Sequence, residues 1–243
     1  MPDWSISLFR IARIRLAVHV TFFLLLGYIA WEGWHASPEA RWLGLTWSVT
    51  YTLLAFACVV LHELGHAFAA RRFGINVSRI LLLPIGGMAE FDRIPREPRQ
   101  EIIIALAGPA VNFLLINLLL LLVTLPATMD EFLSFDLTFE SLARHLLFMN
   151  AAMGCFNLVP VFPMDGGRVL RALLAKRFPY PLATFWAATV GKLFALAAIG
   201  FALTTMIITR NWVQGTLLAT LFAFIFWAGE NEYRHVKAEE RFN

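Results

Sequence analysis

Apolar residues run along this chain in blocks long enough to cross a bilayer, separated by short polar stretches rich in arginine. A helix needs about 20 apolar residues to span the hydrocarbon core. Six blocks approach or exceed that length, at roughly residues 17–34, 43–70, 101–125, 141–158, 182–208 and 212–229. Ahead of the first block, Met1 to Leu16 is amphipathic and basic, which suits the membrane surface. Between the second and third blocks lie two short apolar runs, Ile80–Ile85 and Met88–Phe91, joined by Gly86-Gly87. A glycine pair between such runs reads as the tight turn of a β-hairpin. The segment is too short to span, so it is expected as a re-entrant hairpin whose backbone groups are hidden by protein or water. The expected fold is therefore an all-α polytopic membrane protein, with about six transmembrane helices and a short re-entrant β-hairpin after the second. Its parts would be the basic segment 1–16, a membrane-embedded domain 17–233 and a polar tail 234–243.

Composition agrees with this pattern. Of the 243 residues 59% are hydrophobic and only 15% charged, against about 25% charged in a soluble domain. A net charge of +3 would also suit a nucleic-acid partner. Here, however, the basic residues sit in short loops beside apolar blocks, which points to membrane lipid and not to nucleic acid. Cys58 and Cys155 both lie within apolar blocks, so no disulfide framework is expected. With six spans, the arginines at 10–15, 71–99, 168–177 and 234–241 share one side. The other side keeps Arg41, Arg144, Arg210 and the acidic loop Thr128–Glu140. Both termini would then face the cytoplasm of a bacterial or archaeal cell membrane.

The chemistry centres on His62-Glu63-Leu64-Gly65-His66, inside the second block. Residues four apart stand one turn above each other on one helix face, so both imidazoles can grip one metal ion. Glu63 stands beside the first histidine, within reach of a water at that ion. Two zinc ligands and a general base on one helical turn are what the pattern H-E-x-x-H encodes. A Glu and two His buried at bilayer depth are costly, which argues against an inert core pair. A catalytic zinc takes a third protein ligand and leaves its fourth position to water. The candidates are Asp165, Cys58 and His19. Ligands at i, i+4 and i+8 of one straight helix diverge too far to share a tetrahedral ion, which disfavours Cys58, and Asp165 is preferred.

Three motifs in order carry a resemblance: His62-Glu63-x-x-His66, Gly108-Pro109-x-x-Asn112, and Asn157-x-x-Pro160 followed by Asp165-Gly166. With them the chain resembles the site-2 protease family of intramembrane zinc metalloproteases, most of all the compact branch that includes the sporulation sigma-factor-processing proteases. The resemblance implies one Zn2+ held by His62, His66 and Asp165, with Glu63 activating the water. It implies that Asn112 and Asn157 contact substrate or the developing oxyanion, although helix–helix hydrogen bonding would also account for them. Gly86 and Gly87 would belong to the family's membrane loop, where an extended substrate strand can pair by backbone hydrogen bonds. The substrate class that the resemblance implies is a single-span membrane protein. No PDZ or CBS domain is evident in the sequence, so selection by such domains would be absent or would fall to a separate adaptor or regulator. Two other readings are a membrane metal-ion transporter and a non-catalytic relative that binds a client. Clustering of the polar groups toward one face disfavours the first, and retention of Glu63 the second. Lys192 and Glu230, in the last two blocks, are assigned to gating or packing.

Overall fold

A computed structural model describes residues 4–36, 38–93, 95–124 and 136–240. Asp130 and Glu131 of the expected acidic loop lie outside the described residues, as do residues 1–3 and 241–243 of the terminal segments. The chain divides into two compact units, one of Met1–Ile94 with Ala107–Cys155, the other of Pro95–Leu106 with Phe156–Asn243.

The first unit opens with a four-stranded sheet, order β1-β2-β3-β4, built from β1 (Ser5–Ile11), β2 (Ile14–His19), β3 (Val77–Leu83) and β4 (Gly86–Phe91). Strands β2 and β3 run parallel, with Leu16 opposite Ile80 and Val18 opposite Leu82. The crossover between them is made by α1 (Val20–Ala36) and α2 (Arg41–Arg72). Ile14, Leu16, Ala17 and Val18 of β2, with Ile80, Leu81 and Leu82 of β3, form the buried part of the sheet. Helix α2 ends where Arg71 and Arg72 complement its carboxyl-terminal dipole. Gly74 then takes φ +68°, a value open to glycine, and redirects the chain into β3.

Two expectations are corrected here. The chain is not all-α with a single hairpin, because residues 5–19 form a second hairpin. Its two-residue turn is Ala12-Arg13, both at positive φ (47° and 70°), the left-handed pair that such a turn requires. Turns of this kind are ordinarily marked by Asn-Gly or Asp-Gly, and Ala-Arg carries no such signal. Arg71 of α2 donates a hydrogen bond to the Ala12 carbonyl, tying the turn to the helix end. The second correction concerns Gly86-Gly87. The turn lies at Pro84-Ile85, and the glycines begin β4, paired with Leu83 and Leu82 of β3. Gly86 at φ +141° is where β4 starts, a conformation an L side chain would strain.

Helix α3 (Pro98–Leu120) and helix α4 (Phe139–Asn157) complete the first unit, less the opening turns of α3 and the last residues of α4. The second unit adds α5 (Asp165–Ala175), α6 (Tyr180–Thr209) and α7 (Trp212–Glu239). Ala187, Ala188 and Ala195 of α6 are fully or nearly fully buried, small residues that allow close packing in a membrane core. They sit with Val161, Phe162, Met164 and Ile225 in two small hydrophobic clusters. By length and composition α2, α3, α6 and α7 can each cross a membrane. The expected helices around residues 17–34 and 141–158 are present as α1 and α4.

The basic segment 168–177 begins on α5, and one of its cations does not face water. Arg171 is 1% exposed and donates from Nε to Oε1 of Glu101 at 2.7 Å, and from Nη1 to Oε1 of Glu232 at 2.5 Å. Phe162 and Tyr180 lie 5.1 Å from the guanidinium carbon. Burial disfavours the charge of Arg171, but Glu101, Tyr180 and Glu232 outweigh it and hold its pKa above the ordinary arginine value. The polar residue Lys192, noted in the sequence, pairs with Glu230 at 2.9 Å between α6 and α7.

Candidate metal centre

The site in the first unit is built where one face of α2 meets one face of α3. His62 and His66 are both buried, and their Nε2 atoms stand 3.1 Å apart. Two nitrogens bound at about 2.0–2.1 Å to one tetrahedral zinc stand roughly 3.3–3.4 Å apart, so the pair is already close to ligand spacing. The i, i+4 register of α2 alone accounts for this.

Helix α3 supplies the space and the support. Gly108 faces both imidazoles. A Cβ there would lie 2.7 Å from His62 Nε2 and closer still to His66 Nε2, in the space the two nitrogens face. That cradle, which a single methyl would fill, is the observation by which the residues present fit a bound metal. The helices can approach this closely because Gly65 of α2 lies against Ala107 of α3, where a Cβ would come within 2.7 Å of the Ala107 carbonyl oxygen. Asn112, one turn beyond Gly108 on the same face, is fully buried, and its Oδ1 lies 2.6 Å from His62 Nδ1. From its other end Nδ2 donates to Asn150 Oδ1 of α4 at 2.9 Å. Asn150 is fully buried too, and its Nδ2 donates to the Leu146 carbonyl at 2.8 Å.

Glu63 is half-buried and faces the sheet. A Cβ on Gly87 would lie 2.7 Å from Glu63 Cγ, so β4 runs past the carboxylate-bearing side chain with nothing but backbone between. The structure thus brings together His62, Glu63, His66, Gly87, Gly108 and Asn112 in one unit. Of the other two ligand candidates, His19 ends β2, with Nδ1 2.7 Å from Thr21 Oγ1, and Cys58 is buried within α2. Among the described residues, neither belongs to a group of three metal-ligating side chains.

Asp165 and Asn157 belong to the second unit. Asp165 is the first residue of α5 and is buried. The residues after it must be small, because a Cβ on Gly167 would come within 2.6 Å of the Phe162 nitrogen. Asn157 ends α4 and is half-buried. Three features were not read as site features from the sequence. Asn150 lay unmarked in an apolar block, although an asparagine at that depth is itself a signal. Gly108 was read only as part of a motif. The partners of Arg171 are 70 and 61 residues away along the chain and no spacing rule links them.

Known proteins share this arrangement of sequence. The model of Peptidase family M50 matches residues 50–140 and 124–198. A zinc metalloprotease of Methanocaldococcus jannaschii is 39% identical over 240 residues, covering 99% of this chain and 64% of that relative. Stage IV sporulation protein FB of Bacillus subtilis is 32% identical over 140 residues, covering 57% of this chain and 45% of that protein. Among solved structures, a site-2 protease from Methanocaldococcus jannaschii superposes with a TM-score of 0.61 at 36% identity, over 95% of each chain. The chain therefore spans under two thirds of the length of these curated relatives, and nearly all of the solved one.

Proposed function

The chain belongs to peptidase family M50, and from that premise we propose that it is an intramembrane zinc metalloprotease that hydrolyses peptide bonds in or near the membrane segment of an anchored protein. The observation that carries this reading is the buried Nε2 pair of His62 and His66, 3.1 Å apart, facing the space kept open by Gly108. A carboxylate, Glu63, follows the first of the two histidines in the chain.

His62, His66 and Asp165 hold the zinc in this reading. Each offers one ligand atom of a type zinc takes, and each is buried. When bound, the ion supplies Lewis-acid chemistry, acidifying water and polarising the scissile carbonyl. Glu63 takes the proton from the attacking water at its carboxylate and returns it to the leaving amine nitrogen. Its half-buried position leaves the carboxylate open to that exchange. Gly87 keeps the edge of β4 bare of side chain next to Glu63, which suits an extended substrate segment pairing with the strand. A helical substrate hides its peptide bonds, so such pairing also unwinds it. Asn157, at the end of α4, is assigned to the same substrate path.

Six spans are the count that fits this function, with α1 and α4 added to the four long apolar helices. The arginine-rich segments then share the cytoplasmic side with both termini and the site. From His66 to Arg71-Arg72 is only about 8 Å along the helix, so water can reach a metal there. The substrate is a single-span membrane protein, delivered where needed by a separate adaptor.

The test compares membrane proteomes of cells carrying the wild type or Glu63→Gln. Single-span proteins or their stubs should accumulate only with the variant, while its zinc content stays that of the wild type. A shift in cellular metal without any accumulation would favour transport instead. Normal cleavage by purified Glu63→Gln would refute the assigned base.

A further inference from the structure

The resemblance that points to a zinc site says nothing of how His62 comes to present Nε2 and not Nδ1. A neutral imidazole carries its proton on one nitrogen and its lone pair on the other, and only the lone pair can bind metal. The choice is made by what the remote nitrogen meets. Asn112 meets it here, 2.6 Å from Nδ1. An asparagine, however, can turn either its oxygen or its NH2 group toward a neighbour, so Asn112 alone decides nothing.

The decision lies one residue further on. The carbonyl of Leu146 can only accept, and Asn150 reaches it at 2.8 Å. Asn150 must therefore point Nδ2 at that carbonyl and turn Oδ1 the other way. Its Oδ1 lies 2.9 Å from Asn112 Nδ2 and again can only accept. Asn112 must in turn point Oδ1 at His62. An oxygen there requires a proton on Nδ1, which leaves the Nε2 lone pair directed at the Gly108 cradle. All three side chains are buried, with Asn112 and Asn150 fully so, and water cannot substitute for a missing partner.

We propose that Asn150 and Asn112 form an orienting relay, running from the Leu146 carbonyl of α4 to His62 of α2, that locks His62 in its zinc-binding tautomer. Asn150 is a positioning residue that touches no ligand itself and acts through Asn112. This rests on the metal-site reading above. It gives Asn112 a task distinct from contact with substrate.

The relay makes an uncommon genetic prediction. Asp at 112 has oxygens on both sides and accepts from His62 Nδ1–H whichever way it turns, so it needs no orienter. Zinc affinity is measured by chelator competition on the full chain in lipid nanodiscs, alongside thermal unfolding of each metal-free protein. Asn112→Leu and Asn150→Leu should each weaken zinc binding about 10- to 100-fold, the range for loss of a ligand's hydrogen-bond partner. Asn112→Asp sets its second oxygen against Asn150 Oδ1 and so lowers the melting temperature, but it should bind zinc within a few-fold of wild type. In the Asn112→Asp background, Asn150→Leu should cost nothing further in zinc affinity, whatever it does to the melting temperature. Equal losses from Asn150→Leu in both backgrounds would show a merely structural residue and overturn the relay. Wild-type affinity in Asn150→Leu would overturn it as well. A wild type that binds no zinc at all would overturn the metal site, and the relay with it.

Discussion

Replacing Gly108 by alanine adds one methyl at the point where α3 faces the two histidines. That Cβ would sit 2.7 Å from His62 Nε2 and nearer still to His66 Nε2, so relief to ordinary contact at 3.4 Å needs a shift of about 0.7 Å from His62 and a larger one from His66. Metal sites tolerate roughly 0.5 Å of displacement before they lose their ligand geometry. The backbone cannot yield readily, because Gly65 and Ala107 already hold α2 and α3 in close contact beside it. The imidazoles must swing away instead, and the methyl stays where the ion would lie. Zinc affinity should fall at least about 100-fold, which is about 2.7 kcal/mol. Overpacking of this kind costs the fold about 1–3 kcal/mol, so the variant should still fold, with a lowered melting temperature. The assay is zinc titration by chelator competition, with circular dichroism to verify helix content. Gly200→Ala is the control, since a Cβ there meets nothing within 4 Å. Wild-type zinc affinity in folded Gly108→Ala would refute the placement of the metal in this cradle.

Other outcomes follow from the same geometry. Asp165→Ala should abolish tight zinc binding and cleavage together; retention of tight zinc would return Cys58 or His19 as the third ligand. Gly87→Ala presses a methyl on Glu63 Cγ from 2.7 Å, so peptide cleavage should drop by at least tenfold while zinc content holds, and loss of zinc instead would mean the strand supports the ligands. Arg171→Met leaves Glu101, 3% exposed, as a buried carboxylate without its cation. Such a break costs about 3–5 kcal/mol, read as denaturant sensitivity, and adding Glu101→Gln should recover part of it. No recovery would mean that Arg171 acts by packing on Phe162 and Tyr180 and not by charge.

Much of this protein is written locally. The apolar blocks specify membrane-length helices because a helix in lipid satisfies its own backbone groups, with no help from distant residues. The spacing of His62 and His66 specifies a ligand pair because 3.6 residues per turn put i and i+4 on one face. Asp165 was legible as a candidate third ligand because a carboxylate is a standard zinc ligand and because it follows Asn157-x-x-Pro160 in the motif order. Other features depended on partners far along the chain. The turn at Ala12-Arg13 is imposed by pairing of β1 with β2 and by Arg71, not by turn-forming residues. Gly86-Gly87 looks like a turn in sequence, yet the chain reverses at Pro84-Ile85. The glycines serve instead the start of β4 and its passage past Glu63. Gly108 and Asn112 share a helix face by spacing alone, but only the crossing of α3 on α2 reveals that one makes room for the metal and the other holds a ligand. Asn150 and Arg171 carry no local mark of their partners. Periodicity determines which face of a helix a residue occupies; what that face meets is decided by the packing of elements remote in sequence, and hydrogen-bond direction is settled only when every buried donor and acceptor is paired at once.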